Sequence, residues 1–308
     1  MQPRDVIHDV VHDVIVVGGS FAGLSAAMQL ARARRRVLVV DAGRPRNRFA
    51  PASHGFLGQD GRAPADILDT ARAQVLAYPT AGFRADEVMR AERRDDGFAV
   101  GLASGAELRS RRLVLASGVV DELPDVPGLR ERWGVSVLHC PYCHGYEEAD
   151  GRLGVLAVSE ANMHQALLLP DWSGDVTLFT GGHFEPTAEH RDALARRGVR
   201  VEARGVVELL GEPPTLHAVR LADGEVVPLD ALFTAPRVRP ASPLAEQLGC
   251  AFEDGPFGAY VRTDERKVTS VPGVFAAGDA ARLQHNATFA SADGVMAGVA
   301  AHQSLALA

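Results

Sequence analysis

Val14-Ile15-Val16-Val17-Gly18-Gly19-Ser20-Phe21-Ala22-Gly23 opens on an apolar run, turns through glycine and continues into Leu24, Ala27, Met28 and Ala31 at helical spacing. A second apolar run, Val37-Leu38-Val39-Val40, ends at Asp41. Strand, glycine turn, helix and strand within about 30 residues make the first half of a doubly wound nucleotide-binding fold. Gly18, Ser20 and Gly23 stand at the glycine positions of G-x-G-x-x-G, with serine in the middle. Gly18 permits the tight turn and Gly23 lets helix and strand pack closely. Ser20 is small enough for the backbone to approach a pyrophosphate at the helix N-terminus, where Phe21 and Ala22 follow. Asp41 is placed to accept hydrogen bonds from ribose hydroxyls. The competing reading is a glycine turn in an ordinary α/β domain, and the strand, helix and acid around the motif outweigh it.

Outward from this unit, residues 41–60 read as an irregular segment rich in Arg, Pro and Gly, and 65–77 as a helix. Strands are expected around 98–100 and 113–115, the latter opening onto Ala116-Ser117-Gly118. From Gly151 the pattern begins again: an apolar run over 153–158, a helix over 162–169 and a strand over 176–179, a weak internal repeat. After Pro240, Val274-Phe275-Ala276-Ala277 leads into Gly278-Asp279, which puts a carboxylate at the end of a strand, and 290–307 closes the chain as a helix. A mid-chain domain inserted into a discontinuous first domain fits this order.

The composition bounds the function. At 308 residues, 46% hydrophobic and 23% charged, the chain has room for about two soluble folded domains. Lys and Arg total 32 against 39 Asp and Glu, and the net charge of -7 has the wrong sign for nucleic acid. No apolar stretch reaches the roughly 18 residues that a membrane span needs. The first twelve residues carry Asp5, His8, Asp9 and His12 and read as a solvated leader, neither a signal peptide nor a helical metal pair. Three cysteines are too few and too odd a number for a secreted disulfide framework, so a reducing, cytoplasmic compartment is expected.

Two of those cysteines stand in Cys140-Pro141-Tyr142-Cys143-His144. Thiols at this spacing close a small disulfide. Lowering a thiol pKa from about 8.5 to about 7, as at a helix N-terminus, raises its thiolate fraction at neutral pH from roughly 3% to half. His144 is suited to exchange a proton with the neighbouring thiol, His139 less so. Redox catalysis leads three rivals: c-type haem attachment, a zinc site and simple packing. Cys250 reads as a core residue.

Taken in order, Gly18 to Gly23, Asp41, His54-Gly55-Phe56, Ala116-Ser117-Gly118, the Cys140 and Cys143 pair and residues 273–279 resemble the low-molecular-weight thioredoxin reductases over nearly the whole chain. These are FAD-dependent pyridine nucleotide-disulfide oxidoreductases. The resemblance implies an α/β fold with a discontinuous, Rossmann-like FAD domain, residues 1–119 and 240–308, and an inserted Rossmann-like domain of NADPH type, residues 120–239. It implies FAD held by Gly18, Ser20, Phe21, Ala22, Gly23, Ala116, Ser117, Gly118 and Gly278, with Asp41 on the adenosine ribose and Asp279 near the ribityl chain. It further implies that Cys143 faces the flavin and Cys140 exchanges with the substrate, that the inserted domain rotates, and that the protein is a homodimer. The substrate would be a thiol or disulfide, on a small molecule or a thioredoxin-like protein.

The resemblance breaks in two places. In the inserted domain the glycine positions fall on Ala157 and Ser159, and Glu160 follows. A carboxylate about 4 Å from a pyrophosphate charge costs on the order of 1 kcal/mol in water and about 4 near a protein surface. After the 176–179 strand, Thr180-Gly181-Gly182-His183 lacks the arginine pair expected for a 2′-phosphate. Weak or absent NADPH binding is therefore expected. The second break is His144, where thioredoxin reductases carry an aspartate. Cys-Pro-Tyr-Cys-His is similar to a branch of dithiol oxidases that close disulfides in sulfur metabolites and pass electrons to oxygen.

Overall fold

The computed structural model describes residues 11–307. The expected leader lies largely outside the described residues. His12 is within them, on the first strand, and burial pushes its imidazole pKa down. The contacts divide the chain into two compact units, Met1–Arg48 with Ala65–Val120 and Val238–Ala308, and Phe49–Pro64 with Asp121–Arg237. The sequence reading assigns residues 49–64 to the first unit. Their contacts lie in the second, where Phe49 packs at Gly134 and His54 faces Glu147. An irregular polar segment has no periodicity from which such partners can be read.

β1 (Val11–Val17), α1 (Phe21–Arg32) and β2 (Val37–Asp41) follow the apolar runs, with β1 and β2 in parallel and Val14 opposite Val37. Strands covered on both faces need no alternation, and Val14, Ile15 and Val16 are fully buried. After α2 (Pro64–Leu76), β3 (Ala81–Ala85) joins β2 in parallel. β4 (Val88–Arg94), β5 (Gly97–Leu102) and β6 (Glu107–Leu115) form an antiparallel meander, and β6 pairs in parallel with β1.

β7 (Val119–Glu122) leads into the second unit. There β8 (Val137–Leu138), α3 (Pro141–His144), β9 (Arg152–Leu156), α4 (Met163–Leu168), β10 (Asp175–Phe179), α5 (Ala188–Arg196) and β11 (Arg200–Glu202) come first. An antiparallel sheet of β12 (Val206–Leu210), β13 (Ala218–Leu221) and β14 (Val226–Pro228) follows. β15 (Ala231–Phe233) then completes a parallel sheet in the order β11-β10-β9-β15-β8. The β9-turn-α4-β10 segment is the internal repeat of β1-turn-α1-β2. It departs from expectation at the turn: the strand stops at Leu156, and the helix is broken into a 3₁₀ turn at Glu160–Asn162, α4 and a second 3₁₀ turn containing Pro170.

β16 (Arg237–Pro240) returns the chain to the first unit, through α6 (Leu244–Gln247) and the hairpin of β17 (Phe252–Gly255) and β18 (Gly258–Val261). β19 (Val274–Ala276) lies parallel to the last residues of β6 and brings that sheet, among the described residues, to seven strands. α7 (Ala287–Ala306) starts three residues before the expected helix because the Asn286 side chain accepts the Thr288 N–H (2.8 Å). Leu24, Ala27 and Leu30 of α1 share one buried core with Ala297 and Ala301 of α7.

Candidate active site

In the first unit the turns after β1, β2, β6 and β19 are tied side by side. The Gly18 N–H donates to the Val40 carbonyl (2.8 Å), Ala116 N–H to Val17 (2.8 Å) and Ala277 N–H to Leu115 (3.0 Å). This is the carboxyl-edge crevice in which open α/β sheets bind ligands. Gly18 has φ +103°, and a Cβ there would lie 2.3 Å from the Ala116 carbonyl oxygen; at Gly23 it would lie 1.8 Å from that of Gly18. Ser20 is the N-cap of α1 and makes no side-chain cap bond, with Phe21 and Ala22 opening the helix. Gly278 begins a 3₁₀ turn against α1, where a Cβ would meet that of Ala22 at 2.9 Å. Ser117 and Gly118 follow β6, and the Gly118 carbonyl accepts the Ala241 N–H (3.0 Å). A bare backbone at a helix N-terminus fits a dinucleotide such as FAD.

Both acids expected at this crevice are there. Asp41 Oδ1 accepts the Gly19 N–H (2.9 Å), which fixes the carboxylate beside the loop. Asp279 Oδ2 accepts from Arg46 Nη1 (3.0 Å), and that nitrogen also lies 2.7 Å from His285 Nδ1. Arg46 and His285 escape sequence reading, because one sits in an irregular segment and the other in a turn more than 200 residues away.

The second unit carries the dithiol. Cys140 and Cys143 are joined in a disulfide with a Cα–Cα distance of 5.2 Å, and both are half-buried. Cys140 is the N-cap of α3 and Pro141 its first helical residue, a position that needs no N–H donor. α3 is a single turn, so its dipole is short and gives a thiolate less support than a full helix N-terminus would. Trp172 stands edge-on to Tyr142 (centroids 5.5 Å apart) and closes on Gly145, where a Cβ would lie 2.9 Å from the indole. Cys250 is free and buried in the first unit, and burial pushes its thiol pKa up.

His144 closes α3. Burial pushes its imidazole pKa below the ordinary 6.5, His54 adds to that shift, and Glu147 opposes it. Lowering the pKa favours the neutral ring, the form able to accept a proton. His54 Nδ1 lies 3.4 Å from Glu147 Oε1 and 3.7 Å from Asp60 Oδ1. The sequence marks His54 only as part of a motif and passes over Glu147. Among the described residues no group of three or more His, Cys, Asp or Glu side chains is arranged to hold a metal ion.

The turn after β9 carries the missing glycines. Val158 and Ser159 N–H groups, which in a phosphate loop face the ligand, both donate to Asn162 Oδ1 (3.0 and 3.2 Å). Asn162 is fully buried. Glu160 is largely exposed, 3.6 Å from His190 Nε2, so its charge obstructs the loop less than Asn162 does by occupying it. Beyond β10 the Thr180–His183 turn closes on itself through His183 N–H to Thr180 C=O (2.9 Å). Arg204, just past β11, is held by Glu202, Asp223 and Glu225 at 2.6, 2.6 and 2.7 Å, which leaves it little capacity for a 2′-phosphate.

A family model described as pyridine nucleotide-disulphide oxidoreductase matches residues 12–160 and 179–303. The chain belongs to that family. Thioredoxin reductase tcpT of Claviceps purpurea is 35% identical to this oxidoreductase over 303 residues, 95% of this chain and 94% of its own. Among solved structures, an oxidoreductase from Agrobacterium tumefaciens is 49% identical with a TM-score of 0.92, covering 97% of this chain and 99% of that one. HlmI is 44% identical with a TM-score of 0.90, covering 97% and 94%. The oxidoreductase is therefore a thioredoxin reductase-like flavoenzyme of the FAD-dependent disulfide class. Among the described residues no helix is long and apolar enough to cross a membrane.

Proposed function

We propose that this enzyme oxidises a dithiol through the Cys140–Cys143 disulfide and takes no electrons from NADPH. The observation that carries the reading is the loop after β9, whose Val158 and Ser159 amides are occupied by Asn162. With that donor site filled, electrons enter from the thiol substrate. A substrate thiolate attacks Cys140, forming a mixed disulfide and breaking the bond to Cys143; the second substrate thiol then displaces Cys140. The substrate leaves with a new S–S bond, and the pair is left as two thiols. His144, whose pKa burial lowers, takes the proton of the attacking thiol. FAD, when bound, would supply the two-electron couple that returns the pair to the disulfide, with oxygen as the terminal oxidant. In this reading Gly18 to Gly23, Asp41, Ala116 to Gly118, Gly278 and Asp279 hold the FAD, and the protein works as a homodimer on a small dithiol or a thioredoxin-like protein.

The test is anaerobic mixing of the purified yellow enzyme with NADPH, NADH, a small dithiol or reduced thioredoxin. A dithiol bleaches the visible flavin band within seconds, whereas the nicotinamides leave it unchanged over the same time. Rapid bleaching by NADPH overturns the reading in favour of the activity in the relatives' names.

A pH profile checks His144. Its depressed pKa keeps the ring neutral above about 6.5, so the single-turnover rate with a dithiol is flat there for this group and falls on acidification with a midpoint below 6.5. In His144→Gln that acidic limb disappears, and the rate at neutral pH drops about a hundredfold. An unchanged acidic limb in the variant removes His144 from the proton transfer.

A further inference from the structure

A chain of hydrogen bonds through two buried amide side chains runs from the loop after β9 to the residue before Cys140. Asn162 Oδ1 takes the Val158 and Ser159 N–H groups, and Asn162 Nδ2 donates to Gln165 Oε1 (2.9 Å). Gln165 Nε2 donates in turn to the carbonyl of His139 (2.6 Å), the residue before Cys140. Asn162 has no exposed surface and Gln165 only 5%. Buried amides are costly unless their donors and acceptors are paired, and each bond of this chain depends on the next.

The point at which the chain ends gives it a purpose. The ladder between β8 and β15 runs out at Leu138, whose carbonyl takes the Thr234 N–H (2.9 Å). His139 is the first residue past the sheet, and α3 has a single turn with which to hold the sulfurs. The capping box on the 3₁₀ turn at Glu160–Asn162 needs only Ser159 and Asn162. Gln165, one turn further on, is not needed for that cap and reaches across to the dithiol segment.

We propose that Asn162 and Gln165 have converted the loop after β9 from a nucleotide cradle into a brace for the dithiol, with Gln165 as a positioning residue that fixes the backbone on which Cys140 is carried. The proposal rests on the reading of that loop as closed to a nucleotide. Its consequence is that the equilibrium between disulfide and dithiol depends on a residue that touches neither sulfur, because the oxidised pair demands a narrow backbone geometry and the reduced pair does not. Loosening the His139 carbonyl therefore disfavours the disulfide relative to the two thiols.

The experiment equilibrates the FAD-loaded enzyme with dithiothreitol buffers and reads the oxidised fraction of Cys140–Cys143 by alkylation and mass spectrometry. Gln165→Met keeps the side-chain length and removes both hydrogen bonds. It is expected to move the exchange constant toward the dithiol by about tenfold, equivalent to about 30 mV, at unchanged flavin content. Gln165→Glu keeps the size and is read from pH 5 to 8. Protonated, it still donates to His139; ionised, it repels that carbonyl, so its exchange constant gains a pH-dependent step beyond any that the wild type shows. A folded Gln165→Met with a wild-type constant, or a folded Gln165→Glu with no such step, overturns the brace; if the Met variant does not fold, the Glu variant decides. No nucleotide enters this equilibrium, so NADPH bleaching the flavin would sink the closed-loop reading without altering what these variants report.

Discussion

Cys143→Ser is expected to retain its flavin, lose dithiol turnover by at least about a thousandfold, and trap substrate on Cys140. The physical basis is the chemistry of sulfur. A serine hydroxyl forms no disulfide and is almost never ionised at neutral pH, so neither electron transfer nor displacement survives the exchange. Cys140 nonetheless remains a competent nucleophile. Offered a substrate disulfide, its thiolate forms a mixed disulfide and releases one substrate thiol, and with Cys143 gone nothing resolves it. Mass spectrometry under non-reducing conditions should find one substrate half on Cys140. Cys140→Ser should be equally inactive and trap little. An adduct on Cys143 alone reverses the two roles, and full activity in either variant ends the dithiol mechanism. Flavin content stays at the wild-type level in both, because every residue proposed to hold it lies in the other unit.

Gly23→Ala is the second large effect, and it acts on the cofactor instead. The added methyl would stand 1.8 Å from the Gly18 carbonyl oxygen and 3.2 Å from the Val16 side chain. A backbone oxygen is not the movable end of a flexible side chain, so the turn itself must open. Overpacking of this kind costs about 1–3 kcal/mol where neighbours yield, and these neighbours belong to a loop tied to β2 and β6. The loop amides then lose the geometry that a pyrophosphate needs. The variant should purify colourless or nearly so, with a lower thermal midpoint that added FAD does not restore. Measuring the flavin-to-protein absorbance ratio and a melting curve with and without FAD checks this. Wild-type flavin content would show that the crevice at Gly18 to Gly23 is not the dinucleotide site.

The crevice is legible in the sequence for a local reason. A turn that brings β1, α1 and β2 into contact must have glycine where no Cβ fits, and Gly18 and Gly23 announce that requirement wherever they are read. Asp41 and Asp279 are legible by position at strand ends. Their partners are not: whether Asp279 meets Arg46 depends on two segments from opposite ends of the chain. The second loop shows the same division. The loss of glycine at Ala157 and Ser159 is plain in the residues, and it suggests a failed nucleotide site. That the loop amides are filled from within, by Asn162, is not. Glu160 adds a charge that the residues alone make look obstructive, while the structure leaves that carboxylate largely in solvent.

By itself the sequence determined a repeated strand, turn and helix with parallel strands in both units, a glycine turn after the first strand, and a redox-spaced cysteine pair in the second unit. These depend on hydrophobic period, on steric room for a backbone and on the spacing of two thiols, all properties of segments shorter than about 30 residues. The tertiary structure alone decided that residues 49–64 bring His54 to Glu147, that α3 is one turn long, that burial lowers the His144 pKa, and that Asn162 and Gln165 link the loop after β9 to the residue before Cys140. Burial and hydrogen-bond partnership arise only when distant segments exclude water from one another, and no reading of neighbours along the chain contains that information.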